Sequence, residues 1–146
     1  MSYAELHCHS VFSLLEGAAQ PEQLVTRAVE LGMRSLALTD RDDLGGAVRF
    51  ATAAKTAGLA GILGAELTVE VRGAAPGAGC RAQVLSAGSG RGAAVVHRLV
   101  LLAETREGYG NLSTLITLGR MRAARGAPVS AEPLSLSTVI KSTRER

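Results

Sequence analysis

Two of the three histidines of the chain, His7 and His9, stand one residue apart near its start. Alternate side chains of a β-strand point to the same face, so a strand here would place both imidazoles on one side and Cys8 on the other. Imidazole nitrogens are common ligands of zinc and other divalent metals. The spacing therefore predicts a metal site. The alternative is a pair of polar residues on the wet face of an edge strand.

Carboxylates lie at or near the ends of two later strand-like segments of the chain. Residues 34–40 (RSLALTD) predict a buried strand that ends at Asp40, and residues 60–71 (AGILGAELTVEV) carry Glu66 within an apolar stretch. In parallel α/β sheets, functional residues gather at the carboxyl ends of the strands. We therefore expect Asp40 and Glu66 to lie near His7 and His9, an arrangement typical of metal-holding barrel enzymes.

The elements that must position these side chains alternate between strand and helix. Apolar periodicity predicts strands over residues 3–9, 34–40, 60–71 and 95–104, and helices over residues 21–32, 44–58 and 108–124. This order is typical of an α/β fold with a parallel sheet built from βαβ units. The residues expected to face the core are Leu24, Ala28 and Leu31 in the first helix, Leu44, Val48 and Ala51 in the second, and Leu112, Leu115, Ile116 and Gly119 in the third.

Composition limits what the chain can be. Its 146 residues allow one domain at most, and a hydrophobic content of 47% is enough for a core. A net charge of +3 does not by itself indicate nucleic-acid binding. No apolar run reaches the roughly 18 residues of a membrane helix, and no secretory signal is evident. Cys8 and Cys80 lack metal-type spacing, so free thiols in a cytoplasmic protein are expected.

Two segments show no periodic pattern. Residues 72–94 are rich in Gly and Ala and predict an insertion loop. Residues 126–146 are rich in Ser, Pro and Arg and predict a disordered or loosely packed tail. The predicted domain therefore spans residues 1–125.

The ordered motifs of the chain resemble a known family. Residues 5–50 (ELHCHSVFSLLEGAAQPEQLVTRAVELGMRSLALTDRDDLGGAVRF), residues 63–67 (LGAEL) and residues 99–116 (LVLLAETREGYGNLSTLI) carry the likeness. They resemble the N-terminal PHP (polymerase and histidinol phosphatase) domain of the bacterial C-family DNA polymerases. The residues of these motifs are most similar to those of the error-prone, damage-induced relatives of the polymerase III alpha subunit. The resemblance extends over roughly residues 3 to 124.

The resemblance implies a distorted seven-stranded (β/α) barrel that carries up to three metal ions. It implies that His7, His9, Glu16 and Glu66 correspond to metal ligands, with zinc or manganese as the divalent ion. The chain supplies about four of the seven βα units, so the expected fold is α/β, a partial barrel of the PHP type with parallel strands and flanking helices. A truncated polymerase or a fragment of one is the implied origin.

Two positions depart from the pattern of the family. The metal-bearing form has a histidine after the aspartate of the TD motif, where this chain has Arg41. A guanidinium has no lone pair for a metal. His97 stands one residue before the histidine position of the family, which is Arg98 here, and a shift by one turns a strand side chain to the other face. His97 is therefore a doubtful ligand.

Arg41 leads to a specific hypothesis about the site. Its permanent charge is expected to pair with Glu66 or Glu16, to relieve repulsion between carboxylates and to leave metal binding weak or absent. The alternative is an arginine that points into solvent. Asp40 is expected to line the site with Arg41 and to orient the neighbouring loop by hydrogen bonds.

The function that the resemblance implies is that of a structural PHP module, with a degenerate metal site, in a polymerase for replication and damage-tolerant synthesis. The parent enzyme would use magnesium, would bind DNA and nucleotides, and would meet a sliding clamp and accessory mutagenesis proteins. No membrane partner is expected. Three alternatives stay open: an active PHP-type phosphoesterase or 3′–5′ exonuclease, an amidohydrolase-type barrel, and an inactive, unstable truncation.

Overall fold

The computed structural model describes residues 3–71, 95–122 and 134–135. Within those ranges the helices and strands follow the predicted alternation. The strands are β1 (Ala4–Glu5), β2 (Ser35–Leu38), β3 (Ala60–Val71), β4 (Val95–Ala103) and β5 (Leu134–Ser135), and the helices are α1 (Pro21–Glu30), α2 (Ala47–Ala57) and α3 (Arg106–Arg122). The α/β class with mostly parallel strands and flanking helices is confirmed.

The strands join in the order β1-β2-β3-β4, and β5 pairs with β3. The pairs β1–β2, β2–β3 and β3–β5 are all parallel. In the β2–β3 pair, Ser35 lies opposite Ala60 and Leu38 lies opposite Leu63. Because β1, β2 and β3 run in the same direction, the segments that follow β1 and β2 emerge at the same edge of the sheet as the later part of β3.

The chain divides into two compact units. The first comprises Met1–Glu66 and Val100–Ser113, and the second comprises Leu67–Leu99 and Thr114–Arg146. In the first unit an apolar core joins α1, β2 and α2, and its buried members are Val25, Ala28, Leu36, Leu38, Phe50, Ala54 and Leu59. In the second unit the buried apolar residues include Leu67, Val69, Leu115 and Ile116.

The ends of the first two helices follow the sequence signals. Pro21 occupies the first turn of α1, where its missing N–H costs nothing, and the Gln23 side chain accepts a hydrogen bond of 2.8 Å from the backbone N–H of Gln20. Gly58 ends α2 in the left-handed conformation at φ 68°, which a residue without Cβ adopts without strain. Arg49 of α2 pairs with Glu22 of α1 through two contacts of 2.6 and 2.8 Å.

The inward faces of the helices were predicted with mixed success. All four residues predicted for α3 are buried. In α1, Ala28 is buried and Leu24 packs at the margin of the core, whereas Leu31 is 55% exposed. In α2 the prediction was wrong: Val48 is 74% exposed, Ala51 is also exposed and Leu44 is only partly buried. Phe50 decides the orientation of α2, because its large ring is fully buried together with Ala47 and Ala54.

The predicted first strand was too long. Only Ala4–Glu5 pair with β2, so His7 and His9 lie in the segment that follows β1 rather than within it. Within the predicted tail, Leu134–Ser135 form β5. The predicted insertion at residues 72–94, with Cys80, and the rest of the tail from residue 126 lie outside the described residues. In the described ranges, no helix has the length and apolar character needed to cross a membrane.

Candidate metal site

Three segments of the first unit meet where β1 and β2 end. The loop after β1 carries His7, His9 and Glu16, and the residues after β2 include Asp40 and Arg41. β3 runs on beyond the end of β2, and Arg41 makes an isolated parallel bridge with Glu66. The backbone N–H of Glu66 donates to the carbonyl of Asp40 at 3.1 Å, and its carbonyl accepts from the N–H of Asp42 at 2.9 Å. These bonds fix the Glu66 side chain at this edge of the sheet.

His7, His9 and Glu66 offer three metal-ligand atoms that all lie within 4.8 Å of one another. His7 Nε2 lies 2.7 Å from Glu66 Oε2, and His9 Nε2 lies 3.7 Å from the same oxygen. The imidazole centroids are 5.0 Å apart, with the rings nearly perpendicular. Two imidazoles and one carboxylate in this arrangement match the His₂Glu ligand set that proteins use for catalytic zinc.

The state of His9 suits a ligand. Its Nε2 atom is buried and has no hydrogen-bond partner among the residues that the structure describes. Burial lowers the pKa of the His9 imidazole, and this effect outweighs that of the Glu66 carboxylate, which acts in the opposite direction. A metal ligand must be a neutral imidazole with a free lone pair. His7, His9 and Glu66 therefore fit one metal ion.

Arg41 occupies the other side of this cluster. Its guanidinium pairs with Glu16 Oε1 through Nη2, and its Nε lies 3.9 Å from Glu66 Oε1. The second oxygen of Glu16 lies 3.7 Å from His9 Nδ1, and Glu16 is outside the group whose ligand atoms converge. The structure thus brings together three of the four predicted ligands, and it places a permanent cation between the fourth and Glu66.

Asp40 ligates nothing in this arrangement. Its carboxylate is 1% exposed and accepts hydrogen bonds from Ser10 and Ser13. Sequence reasoning assigned Asp40 an orienting role but missed both serines. No spacing rule sets Ser10 and Ser13 apart from other serines of the chain, because their role depends on a contact across about 30 positions.

The remaining candidates are not members of this group of converging ligand atoms. His97 is part of β4 and belongs to the second unit, and it is absent from the described group of converging ligand atoms. Cys8 packs against the apolar core, where burial raises the pKa of its thiol. The predicted role of Cys8 as a small core residue agrees with this placement.

A model of the PHP domain family matches residues 5–135. Error-prone DNA polymerase of Bordetella parapertussis is 49% identical over 124 residues, which are 85% of this chain and 10% of that protein. Error-prone DNA polymerase of Cutibacterium acnes is 42% identical over 142 residues, with 82% of this chain and 12% of that protein covered. The chain thus spans about a tenth of the length of these curated relatives.

Two solved structures share the fold. An amidohydrolase from Chromobacterium violaceum, which holds sulfate and no metal, superimposes with a TM-score of 0.55 at 26% identity over 81% of this chain and 33% of that chain. A candidate metal-dependent phosphoesterase from Bifidobacterium adolescentis gives a TM-score of 0.50 at 21% identity over 99% of this chain and 44% of that chain. Both likenesses agree with the predicted α/β fold of a partial barrel.

Proposed function

The chain belongs to the PHP domain family, and on that premise we propose that it is the PHP module of a DNA polymerase that acts in damage-tolerant synthesis in the cytoplasm. The identity of 42–49% to error-prone polymerases over most of the chain supports this assignment. In this proposal the parent polymerase binds DNA and nucleotides, uses magnesium for nucleotidyl transfer, and meets a sliding clamp and accessory mutagenesis proteins. The module itself contributes structure rather than hydrolysis.

One observation supports a structural role for the module: Arg41 lies inside the site. Its guanidinium pairs with Glu16 and approaches Glu66 to 3.9 Å. A cation at this position repels a divalent ion, and the pairing removes Glu16 from the ligands available to it. A site with three ligands and a nearby positive charge is expected to hold metal weakly.

A metal bound at this place would be held by His7, His9 and Glu66. It would supply Lewis-acid activation of a phosphoryl oxygen or of a water molecule. The protein contributes the carboxylate of Glu66, which is 2% exposed, and the imidazole of His9, which is 17% exposed. Arg41 contributes a charge that competes with the ion.

A second candidate function is metal-dependent phosphoester hydrolysis by the module itself. The convergence of three ligand atoms within 4.8 Å favours it. This candidate predicts a bound ion despite Arg41, and a hydrolytic rate that depends on both histidines. The match of the PHP family over residues 5–135 disfavours the amidohydrolase-type alternative.

Hydrolysis of an artificial phosphodiester separates the two functions. We expect the purified chain, with manganese chloride added, to release nitrophenolate from bis(4-nitrophenyl) phosphate no faster than the H9A variant does. The variant controls for contaminating hydrolases, because it is purified in the same way and lacks one ligand. Hydrolysis that is lost both in H9A and on addition of a chelator would contradict the structural role and support the second candidate.

A further inference from the structure

Asp40 is a buried carboxylate that is not one of the three candidate metal ligands. Its Oδ1 accepts from the backbone N–H of Ser10 at 2.6 Å and from Ser13 Oγ at 2.7 Å, and its Oδ2 accepts from Ser10 Oγ at 2.7 Å. All three donors belong to the loop that follows β1. Ser10 and Ser13 are themselves buried, at 0% and 2% exposure. The carboxylate therefore acts as the internal anchor of this loop.

The residues on either side of Asp40 hold the same loop. The hydroxyl of Thr39 accepts from the N–H of Cys8 at 3.0 Å, and the N–H of Thr39 donates to the carbonyl of Cys8 at 2.8 Å. The N–H of Arg41 donates to Ser13 Oγ at 3.0 Å. His9 thus stands between Cys8 and Ser10, two residues whose backbone is fixed to Thr39 and Asp40.

The same segment also fixes Glu66. The carbonyl of Asp40 accepts from the N–H of Glu66 at 3.1 Å. One residue therefore connects both sides of the cluster, through its side chain to the loop of His9 and through its backbone to the strand of Glu66. His9 Nε2 and Glu66 Oε2, on the two sides that this residue connects, are 3.7 Å apart.

Hydrogen bonds to a buried carboxylate are stronger than those between neutral groups, and a donor left without its acceptor in the interior is costly. Removal of the carboxylate would leave three hydrogen-bond donors of the loop without their acceptor. An asparagine keeps one oxygen for the two donors on Oδ1. Its amide can donate to Ser10 Oγ, because a hydroxyl group also accepts. Asp40→Asn is therefore a conservative change and Asp40→Ala is not.

We propose that Asp40 is the positioning residue of the site, which sets the place of the His9 imidazole relative to the Glu66 carboxylate. Asp40 acts through Ser10 and Ser13 and touches neither the ion nor a substrate. The inference concerns the site described under the proposed function and rests on it for its biological meaning. The geometric claim applies to the metal-free chain.

Long-range ¹H–¹⁵N correlation spectra of the imidazoles test the proposal in the full, metal-free chain at one fixed pH. Three histidines give a spectrum that single substitutions assign completely. We expect D40A to shift or split the ring signals of His9 and D40N to return them close to those of the unmodified chain. The matched control is L59A, which removes a side chain of the apolar core that is 7% exposed. L59A is expected to lower the unfolding midpoint while the His9 signals keep their positions.

Unchanged His9 signals in D40A would overturn the proposal, and so would equal shifts in L59A. If D40A fails to fold, S13A decides, since it removes one donor to Asp40 and is expected to move the same signals by a smaller amount. A second readout is Mn²⁺ affinity in an R41H background, where D40A is expected to cost about tenfold and D40N less. If R41H gains no metal, the assignment of the metal site fails, while the metal-free spectra still test Asp40.

Discussion

Replacement of Arg41 by histidine is expected to raise the affinity of the chain for Mn²⁺ or Zn²⁺ by about tenfold to hundredfold, the range by which groups next to a metal site change affinity. The change removes a permanent cation whose Nε lies 3.9 Å from Glu66 Oε1. It also frees Glu16 from the guanidinium. The new imidazole stands at the position where the family resemblance implies a histidine ligand. Isothermal titration of the metal-free chain measures the effect.

Two further substitutions separate the charge of Arg41 from the missing ligand. R41K keeps a cation, so its metal affinity is expected to stay close to that of the unmodified chain. R41M removes the cation and adds no donor, so it is expected to gain part of the affinity that R41H gains. Equal affinities for the unmodified chain, R41M and R41H would show that Arg41 does not control the site. A gain confined to R41H would assign the effect to the ligand alone.

Gly17→Ala is expected to lower the free energy of unfolding by about 2–3 kcal/mol, as overpacking of a close contact does. A Cβ at Gly17 would lie 1.8 Å from the carbonyl oxygen of Ser10 and 2.4 Å from its carbonyl carbon. Both atoms are backbone, so no rotamer relieves the clash. Because Ser10 holds Asp40, the shift is also expected to weaken metal binding in an R41H background. Urea unfolding followed by far-UV circular dichroism suits a chain without tryptophan.

Gly110→Ala is the matched control for that substitution. Gly110 lies within α3, and an added Cβ meets nothing within 4 Å. Alanine favours a helix interior over glycine by about 1 kcal/mol, so G110A is expected to leave the stability unchanged or to raise it slightly. A G17A variant as stable as G110A would contradict the close approach of Gly17 to Ser10.

The fold was largely predictable because its signals are local. The proline at the start of α1, the glycine after α2 and the apolar run of β3 each define an element through neighbouring residues alone. The inward face of α2 was not predictable in the same way. Val48 and Phe50 are both apolar, and only the space beside Gly61 and Ala54 determines that the aromatic ring is the buried one.

The candidate site was also predictable only where its signals are local. His7, His9 and Glu66 were predicted from residue type and from a position at or near the ends of predicted strands, and the parallel sheet explains why they meet. The expected reason was partly wrong, because both histidines follow β1 instead of lying within it. The loop that carries them is held by hydrogen bonds to Thr39 and Asp40, which connect distant positions and leave no pattern in the sequence.

The metal content of the unmodified chain shows directly whether Arg41 keeps the site from holding an ion. The chain is purified without chelators, dialysed against metal-free buffer, and assayed by elemental analysis beside R41H. We expect well under one equivalent of zinc or manganese in the unmodified chain and close to one equivalent in R41H. A full equivalent of either metal in the unmodified chain would contradict this expectation, because Arg41 would then coexist with an occupied site.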